Sequence, residues 1–162
     1  PPGVRHLVDL GSGGGFPGLV LAIVLAERWP ASADSLMMPK VTLIESDTRK
    51  CAFLREVARV SGIAVDIISS RIESICKSDT LAPADVITSR ALAPMQRLLD
   101  LAAPIFGSET VGLFLKGRTV EDELRDAQRS WSFDLDLKPS MTDLQARIVV
   151  IRGLKHNKEA RS

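Results

Sequence analysis

The stretch Asp9-Leu-Gly11-Ser-Gly13-Gly-Gly15-Phe-Pro-Gly18 is the most informative part of this 162-residue chain. An apolar run, His6 to Leu10 (HLVDL), precedes it and reads as a first strand. A helical stretch follows from about Gly18 to Arg28, closed by Trp29-Pro30. Glycines at a strand-to-helix turn let the backbone reverse sharply, and they let a ligand approach the amides with no Cβ in the way. The helix behind them offers N–H groups without intrahelical partners. Such a loop suits a nucleotide-like cofactor. The plain alternative, a tight turn with no ligand, is disfavoured by the backbone entropy that so many glycines cost.

Two cofactor classes compete for the loop. The dinucleotide pattern G-x-G-x-x-G is met formally by Gly13-x-Gly15-x-x-Gly18, the register of an NAD(P)-dependent Rossmann oxidoreductase. That register puts Phe16 and Pro17 where a pyrophosphate would meet the helix start, and Pro17 has no amide to give. The other reading is Asp9-x-Gly11-x-Gly13-x-Gly15, an acid at the strand end followed by alternating glycines. It resembles motif I of methyltransferases that use S-adenosyl-L-methionine. The resemblance puts Asp9 near the cationic methionine end of the cofactor and Gly11, Gly13 and Gly15 along it. The methyltransferase reading is the stronger.

Ala31 to Lys40 is a polar surface excursion before a second strand, Val41 to Glu45. Glu45 ends that strand, where a carboxylate can accept two hydrogen bonds from a ribose diol; an exposed strand-end acid is the plain alternative. Asp47 to Ser61 has Cys51, Phe53, Leu54, Val57 and Ala58 at helical period among charged residues and ends at Gly62. Ala64 to Ser69 reads as strand three, Ala84 to Ser89 as strand four, Met95 to Ala103 as a helix and Thr110 to Lys116 as strand five. Glu121 to Ser130 is an exposed helix. Asp134 to Lys138 and Ala146 to Arg152 make an antiparallel hairpin turning near Pro139 and Ser140. The expectation is an α/β, Rossmann-like single domain over 1–162, with a mostly parallel seven-stranded sheet and a C-terminal antiparallel hairpin.

Composition narrows the function classes. With 45% apolar and 25% charged residues the chain matches a soluble globular domain. Lys+Arg 21 against Asp+Glu 20 leaves a net charge of +1, so a polyanion must be held by a local patch. One candidate patch is Arg49, Lys50, Arg55 and Arg59 on a helix; the other is Arg152, Lys155, Lys158 and Arg161 near the C-terminus. A solvated helix face and a frayed tail are the plain alternatives. The longest unbroken apolar run, Leu19 to Ala26, is eight residues, so no membrane span is expected. Cys51 and Cys76 are isolated from each other and from both histidines, which gives neither a disulfide framework nor a metal pattern. A cytoplasmic, metal-free protein, monomeric in solution, is expected. Few aromatics argue against a general single-strand binder.

Several motifs in order then carry a family resemblance. They are Gly11-Ser-Gly-Gly-Gly-Phe-Pro-Gly-Leu-Val-Leu-Ala-Ile, Leu43-Ile-Glu-Ser-Asp-Thr-Arg-Lys-Cys-Ala-Phe-Leu-Arg, Ser70-Arg-Ile-Glu, Ser89-Arg-Ala-Leu and Leu115-Lys-Gly. From about residue 6 to 153 the chain closely resembles the glucose-inhibited-division B family, bacterial methyltransferases acting on N7 of a guanine in 16S ribosomal RNA of the small subunit. The resemblance implies cofactor contacts at Gly11, Phe16, Ile72, Glu73 and Arg90, with Glu45 at the acidic, ribose-binding place. Ile72-Glu73 also reads as an ordinary helix start, with Ser70 and Glu73 as a capping box. Arg90 stands at the mouth of strand four, where open α/β sheets place ligands. Arg90 and Lys116 are the candidate catalytic residues, expected to meet phosphate, guanine O6 or cofactor. Family members carry a helical segment before the glycine-loop strand, and only eight residues precede Asp9 here. The chain is therefore expected to be a catalytic core lacking that segment. A fragment that binds cofactor without turning over is the third possibility, beside the methyltransferase and the oxidoreductase.

The implied reaction needs little from the protein's acids and bases. N7 of guanine offers an in-plane lone pair and carries no hydrogen, so no general base is needed. His6 and His156 stand near the two ends of the sequence, away from every motif. Alignment of nucleophile, methyl and sulfur is then the main expected source of rate. A cation aimed at N7 would oppose the charge that the product gains.

Overall fold

Strands apolar on both faces must be covered on both faces, and here the pattern places them at the centre of the molecule. The computed structural model describes residues 3–28, 38–76 and 81–157. In chain order they form β1 (His6–Leu10), α1 (Gly18–Arg28), β2 (Lys40–Glu45), α2 (Thr48–Ser61), β3 (Asp66–Ser69), α3 (Ile72–Cys76) and β4 (Ala84–Arg90). Then come α4 (Met95–Ala102), a 3-10 turn (Ala103–Ile105), β5 (Phe106–Lys116), α5 (Val120–Ala127), β6 (Trp131–Pro139) and β7 (Arg147–His156). The seven strands make one sheet in the order β3-β2-β1-β4-β5-β7-β6. The first five strands pair in parallel, whereas β7 runs antiparallel between β5 and β6. The expected mostly parallel sheet with an antiparallel C-terminal pair is therefore observed.

Alternation along each strand sorts side chains to the two faces. Leu7, Val41, Leu43 and Val86 pack with Leu19 and Ala22 of α1 and Leu54 and Ala58 of α2. Val8, Leu10, Ile44, Ile87 and Phe114 face the other way, against Met95, Leu98 and Leu99 of α4 and Val120 and Leu124 of α5. Cys51, Leu54 and Ala58 form the buried stripe of α2, while Phe53, read with them from sequence, faces solvent. The ends of α2 follow from its sequence. Asp47 accepts from the amides of Arg49 and Lys50, and Gly62 takes the left-handed conformation that ends the helix.

The boundaries shift where a tertiary partner extends an element. β5 begins at Phe106 rather than Thr110, through an irregularity in its pairing with β4 near Ala84. The hydroxyl of Thr110 bonds there to the Ala84 carbonyl and accepts from the Gly107 amide. β6 and β7 reach Trp131 and His156 because the Trp131 indole donates to Asp100 at 3.0 Å and stacks edge-on against His156. The excursion expected at 31–40 lies outside the described residues except at its end, where Lys40 already opens β2. Among the described residues no helix is long and apolar enough to cross a membrane.

The order of the sheet reverses between β1 and β4: the chain winds outward to β3 on one side, then returns to build β4 and β5 on the other. Open α/β sheets bind ligands outside the carboxyl ends of strands at such a switch point. The glycine stretch and the turn after Arg90 leave β1 and β4 at that end.

Candidate active site

Asp9 shows how the loop is set. It is fully buried on the α1 face of β1, with Oδ1 accepting from Thr88 Oγ1 at 2.6 Å and Oδ2 from the Gly18 amide at 3.3 Å. Burial pushes its carboxyl above the ordinary range, opposed by these hydrogen bonds, by Ser12 and by the charge of Arg90. The carboxylate is thus spent on tying α1 to β1 and β4. It lies beneath the loop and is not among the residues that line the cleft.

The loop itself turns on glycines that do different work. Gly11 (φ +69°) donates to the Ile44 carbonyl at 3.0 Å, and a Cβ on it would come 2.6 Å from Leu92 Cδ1. Gly15 (φ +93°) packs against Leu19 and Leu54 beneath the loop, away from the cleft. Gly13 (φ +56°) gives its amide to Glu45 Oε2 at 2.8 Å. Amides of Gly13, Gly15, Gly18, Leu19 and Val20 all donate within the protein. The helix start therefore has few N–H groups left for a pyrophosphate, which removes the main support for the Gly13-x-Gly15-x-x-Gly18 register.

Above the loop opens a cleft of about 490 Å³. Of the expected site residues, Gly11, Gly13, Phe16, Glu45, Ile72, Glu73 and Arg90 line it together; Asp9, Gly15 and Lys116 do not. Glu45 is only 8% exposed and held by two backbone amides, Gly13 on Oε2 and Asp47 on Oε1, both at 2.8 Å. Each oxygen keeps a second lone pair, so the carboxylate presents two fixed acceptors, a match for a vicinal diol. Phe16 is half exposed, and the Arg90 guanidinium sits 5.5 Å from its ring centre, within cation–π range. A flat apolar face, a diol acceptor and a backbone free of side chains at Gly13 suit an adenosine-bearing cofactor.

Helix α3 begins at Ile72, and the Ile75 amide bonds to the Arg71 carbonyl, so Arg71 and not Ser70 holds the cap position. The helix start is thus displaced by one residue, and Ser70 and Glu73 do not stand at the positions that the expected capping box requires. Glu73 pairs instead with Arg97 of α4, Nη2 to Oε1 at 2.6 Å. Its own backbone amide, followed by Arg97, holds its carboxyl below the ordinary range despite some burial. Arg97 lines the cleft without having been marked by any sequence signal; Lys50, marked only as part of a basic patch, and Arg71 and Leu92, carried within the motifs, line it too. His6 stands at the far end of β1, 3.0 Å from Thr42 Oγ1, and neither histidine lines the cleft. Among the described residues no three His, Cys, Asp or Glu side chains come together as a metal site would require.

Lys116 ends β5 as expected but turns inward. It is 7% exposed, and its ammonium donates to the Ala93 carbonyl and to Glu123 Oε2, the latter at 2.7 Å. The position expected to meet a phosphate or base is committed inside the protein. Burial works to raise the Glu123 carboxyl, but Lys116, Thr119 and the Met95 amide outweigh it and hold the carboxyl below its ordinary 4.5. A depressed carboxyl contributes stability that is present above the unfolded value and lost as pH falls through the folded one. Melting temperature should therefore fall below about pH 4.5. In Glu123→Gln that part of the acid slope should be absent, as differential scanning fluorimetry across pH 3 to 7 will read. The basic candidates divide in the same way. Arg59 pairs with Glu56, Lys50 lines the cleft, Arg152 and Lys155 are exposed, and Lys158 and Arg161 lie outside the described residues.

The model of the family described as rRNA small subunit methyltransferase G matches residues 2–156. Ribosomal RNA small subunit methyltransferase G of Parvibaculum lavamentivorans is 48% identical over 154 residues, 95% of this chain and 64% of the relative. Its namesake from Paramagnetospirillum magneticum is 46% identical, over 96% of this chain and 68% of the relative. The chain thus spans about two thirds of the length of these relatives. Among solved structures, an rRNA methylase from Streptococcus thermophilus superposes with a TM-score of 0.63 at 13% identity, over 94% of this chain and 89% of that one. An O-methyltransferase of Streptomyces achromogenes solved with S-adenosylmethionine also gives 0.63 at 13% identity, over 93% of this chain and 74% of the other. These likenesses show the fold, a Rossmann-like class I methyltransferase sheet. With a family model matched from end to end of the sheet and relatives approaching half identity, the chain belongs to the rRNA small subunit methyltransferase G family.

Proposed function

We propose that this chain, as a single methyltransferase domain, transfers a methyl group from S-adenosyl-L-methionine to N7 of a guanine in 16S ribosomal RNA. The observation that carries the reading is Glu45, a diol acceptor fixed by two amides in a cleft at the switch point of a methyltransferase sheet. Family membership supplies the substrate class: the relatives are named for small-subunit ribosomal RNA. The cofactor, when bound, supplies a methyl on a positively charged sulfur. Everything else is positioning. Glu45, Gly13, Phe16 and Arg90 line the cleft, and among the described residues its lining contains no histidine or cysteine to act as base or nucleophile. This composition suits N7, whose lone pair is available without proton removal, so alignment rather than acid–base chemistry supplies the acceleration. The setting is a cytoplasmic monomer acting on the small ribosomal subunit or its RNA.

Arg90 belongs to the cofactor side in this reading, because its guanidinium covers the Phe16 ring and a cation facing N7 would oppose product charge. Arg90→Ala is expected to weaken S-adenosylhomocysteine binding about five- to thirtyfold, the loss of about 1–2 kcal/mol of cation–π and charge interaction. Isothermal titration calorimetry checks this; loss of RNA methylation with unchanged cofactor affinity would assign Arg90 to the RNA instead. The function as a whole is tested by methyl transfer to small ribosomal subunits and to naked 16S RNA, with mapping of the modified base. A 7-methylguanine product is expected. Methylation at another atom, or cofactor binding with no transfer to either substrate, would overturn the reading.

A further inference from the structure

The turn between β4 and α4 walls the cleft through Ala91, Leu92 and Ala93, yet it is held from outside itself. Ala91 adopts a left-handed φ of 50°, unusual for a residue with a Cβ. Helix α4 follows with Pro94 at its cap position and no side-chain cap of its own. Two side chains from the end of β5 and from α5 supply what is missing. Lys116 donates to the Ala93 carbonyl, and Glu123 Oε2 accepts both from Lys116 and from the Met95 amide at 2.9 Å. Thr119 Oγ1 occupies the other carboxylate oxygen at 2.9 Å. One carboxylate thus caps α4 from another helix while its partner cation pins the residue before Pro94. Leu92, inside the same turn, sits directly on Gly11 of the glycine loop.

We infer that Lys116 and Glu123 form a latch that sets the position of the 91–93 turn against the glycine loop. Lys116 is then a positioning residue for the cofactor end of the cleft and makes no contact with RNA. The inference rests on the cleft being the cofactor site. Its chemistry needs both partners: the ammonium has a donor for the carbonyl and another for the carboxylate, and the carboxylate has lone pairs for the ammonium and the helix amide. Removing either member frees the turn at one end, and a wall that samples several positions binds its ligand more weakly.

The test uses the whole chain and three variants, Lys116→Met, Glu123→Gln and their combination, with Arg125→Ala on the exposed face of α5 as control. S-adenosylhomocysteine affinity, small-subunit affinity and amide hydrogen exchange are measured for each. Each single variant should weaken S-adenosylhomocysteine binding about tenfold, and the double should be little worse than either, since both remove one device. Exchange should rise in the segment 90–95 and stay unchanged in α1 and α2, a local response that a merely destabilised fold would not give. Small-subunit affinity and the Arg125→Ala protein should match wild type. Unchanged cofactor affinity, a selective loss of subunit affinity, or exchange rising throughout would overturn the latch. If wild type binds no S-adenosylhomocysteine, the cofactor reading has failed, and the exchange pattern alone still decides whether the latch exists.

Discussion

Glu45→Gln is expected to lower affinity for S-adenosylhomocysteine by about a hundredfold or more, from a change of one atom. The carboxylate accepts from the amides of Gly13 and Asp47, one on each oxygen, so glutamine must turn its NH2 toward one of those donors. One backbone amide is left facing another donor near a side chain that is 8% exposed, and one of the two acceptors offered to a diol disappears. Hydrogen bonds to charged groups contribute about 1.5–3 kcal/mol each, and losing one while disordering the Gly13 backbone gives about 3 kcal/mol, two decades in affinity. Titration calorimetry on Glu45→Gln beside Glu45→Asp will read it. A Glu45→Gln protein binding within threefold of wild type would show that this carboxylate does not face the ligand.

The second large effect falls on stability. Gly18 opens α1 with an ordinary helical φ, where alanine would normally gain up to about 1 kcal/mol in helix propensity. Here a Cβ would stand 2.5 Å from Asp9 Cβ, 2.7 Å from Asp9 Cγ and 2.6 Å from Leu43 Cδ2. Asp9 cannot retreat, since Thr88 and the Gly18 amide hold its carboxylate, and moving α1 outward would break the bond from the Gly18 amide. Overpacking costs about 1–3 kcal/mol where neighbours can yield, and the upper end applies where they cannot. Gly18→Ala should therefore lose about 3 kcal/mol in urea denaturation, a large part of the 5–15 kcal/mol that holds a domain together. Gly14→Ala, where no atom lies within 4 Å of the added Cβ, should be near neutral. Equal stability of the two variants would refute the account of the loop.

These two glycines show what the sequence could and could not say. The glycine stretch marked the switch point because its turn lies between a strand and a helix that period alone locates, and the sheet's parallel half follows from runs apolar on both faces. The task of each glycine was hidden, since Gly18 is required by Asp9 and Leu43, and Leu43 belongs to another strand. Asp9 stood out as an acid at a strand end, but Thr88, 79 residues away, turns it into a buried clamp. Lys116 carried a family motif and a plausible surface role. Its partners Ala93 and Glu123 come from either side of it in the chain, and only the packing of α5 on α4 brings them to one point. Arg97 and Glu73 meet the same way, from two helices that share no local signal. Residues marked by spacing along one element were legible; residues defined by contacts between elements were not.

The most direct test of the cofactor cleft is a pair of calorimetric titrations of the intact chain, one with S-adenosylhomocysteine and one with NADH. Glu45 as diol acceptor predicts one S-adenosylhomocysteine per chain, and the amides already engaged at the start of α1, which leave little for a pyrophosphate, predict no detectable NADH binding. Saturable NADH binding, with S-adenosylhomocysteine absent from the site, would contradict it.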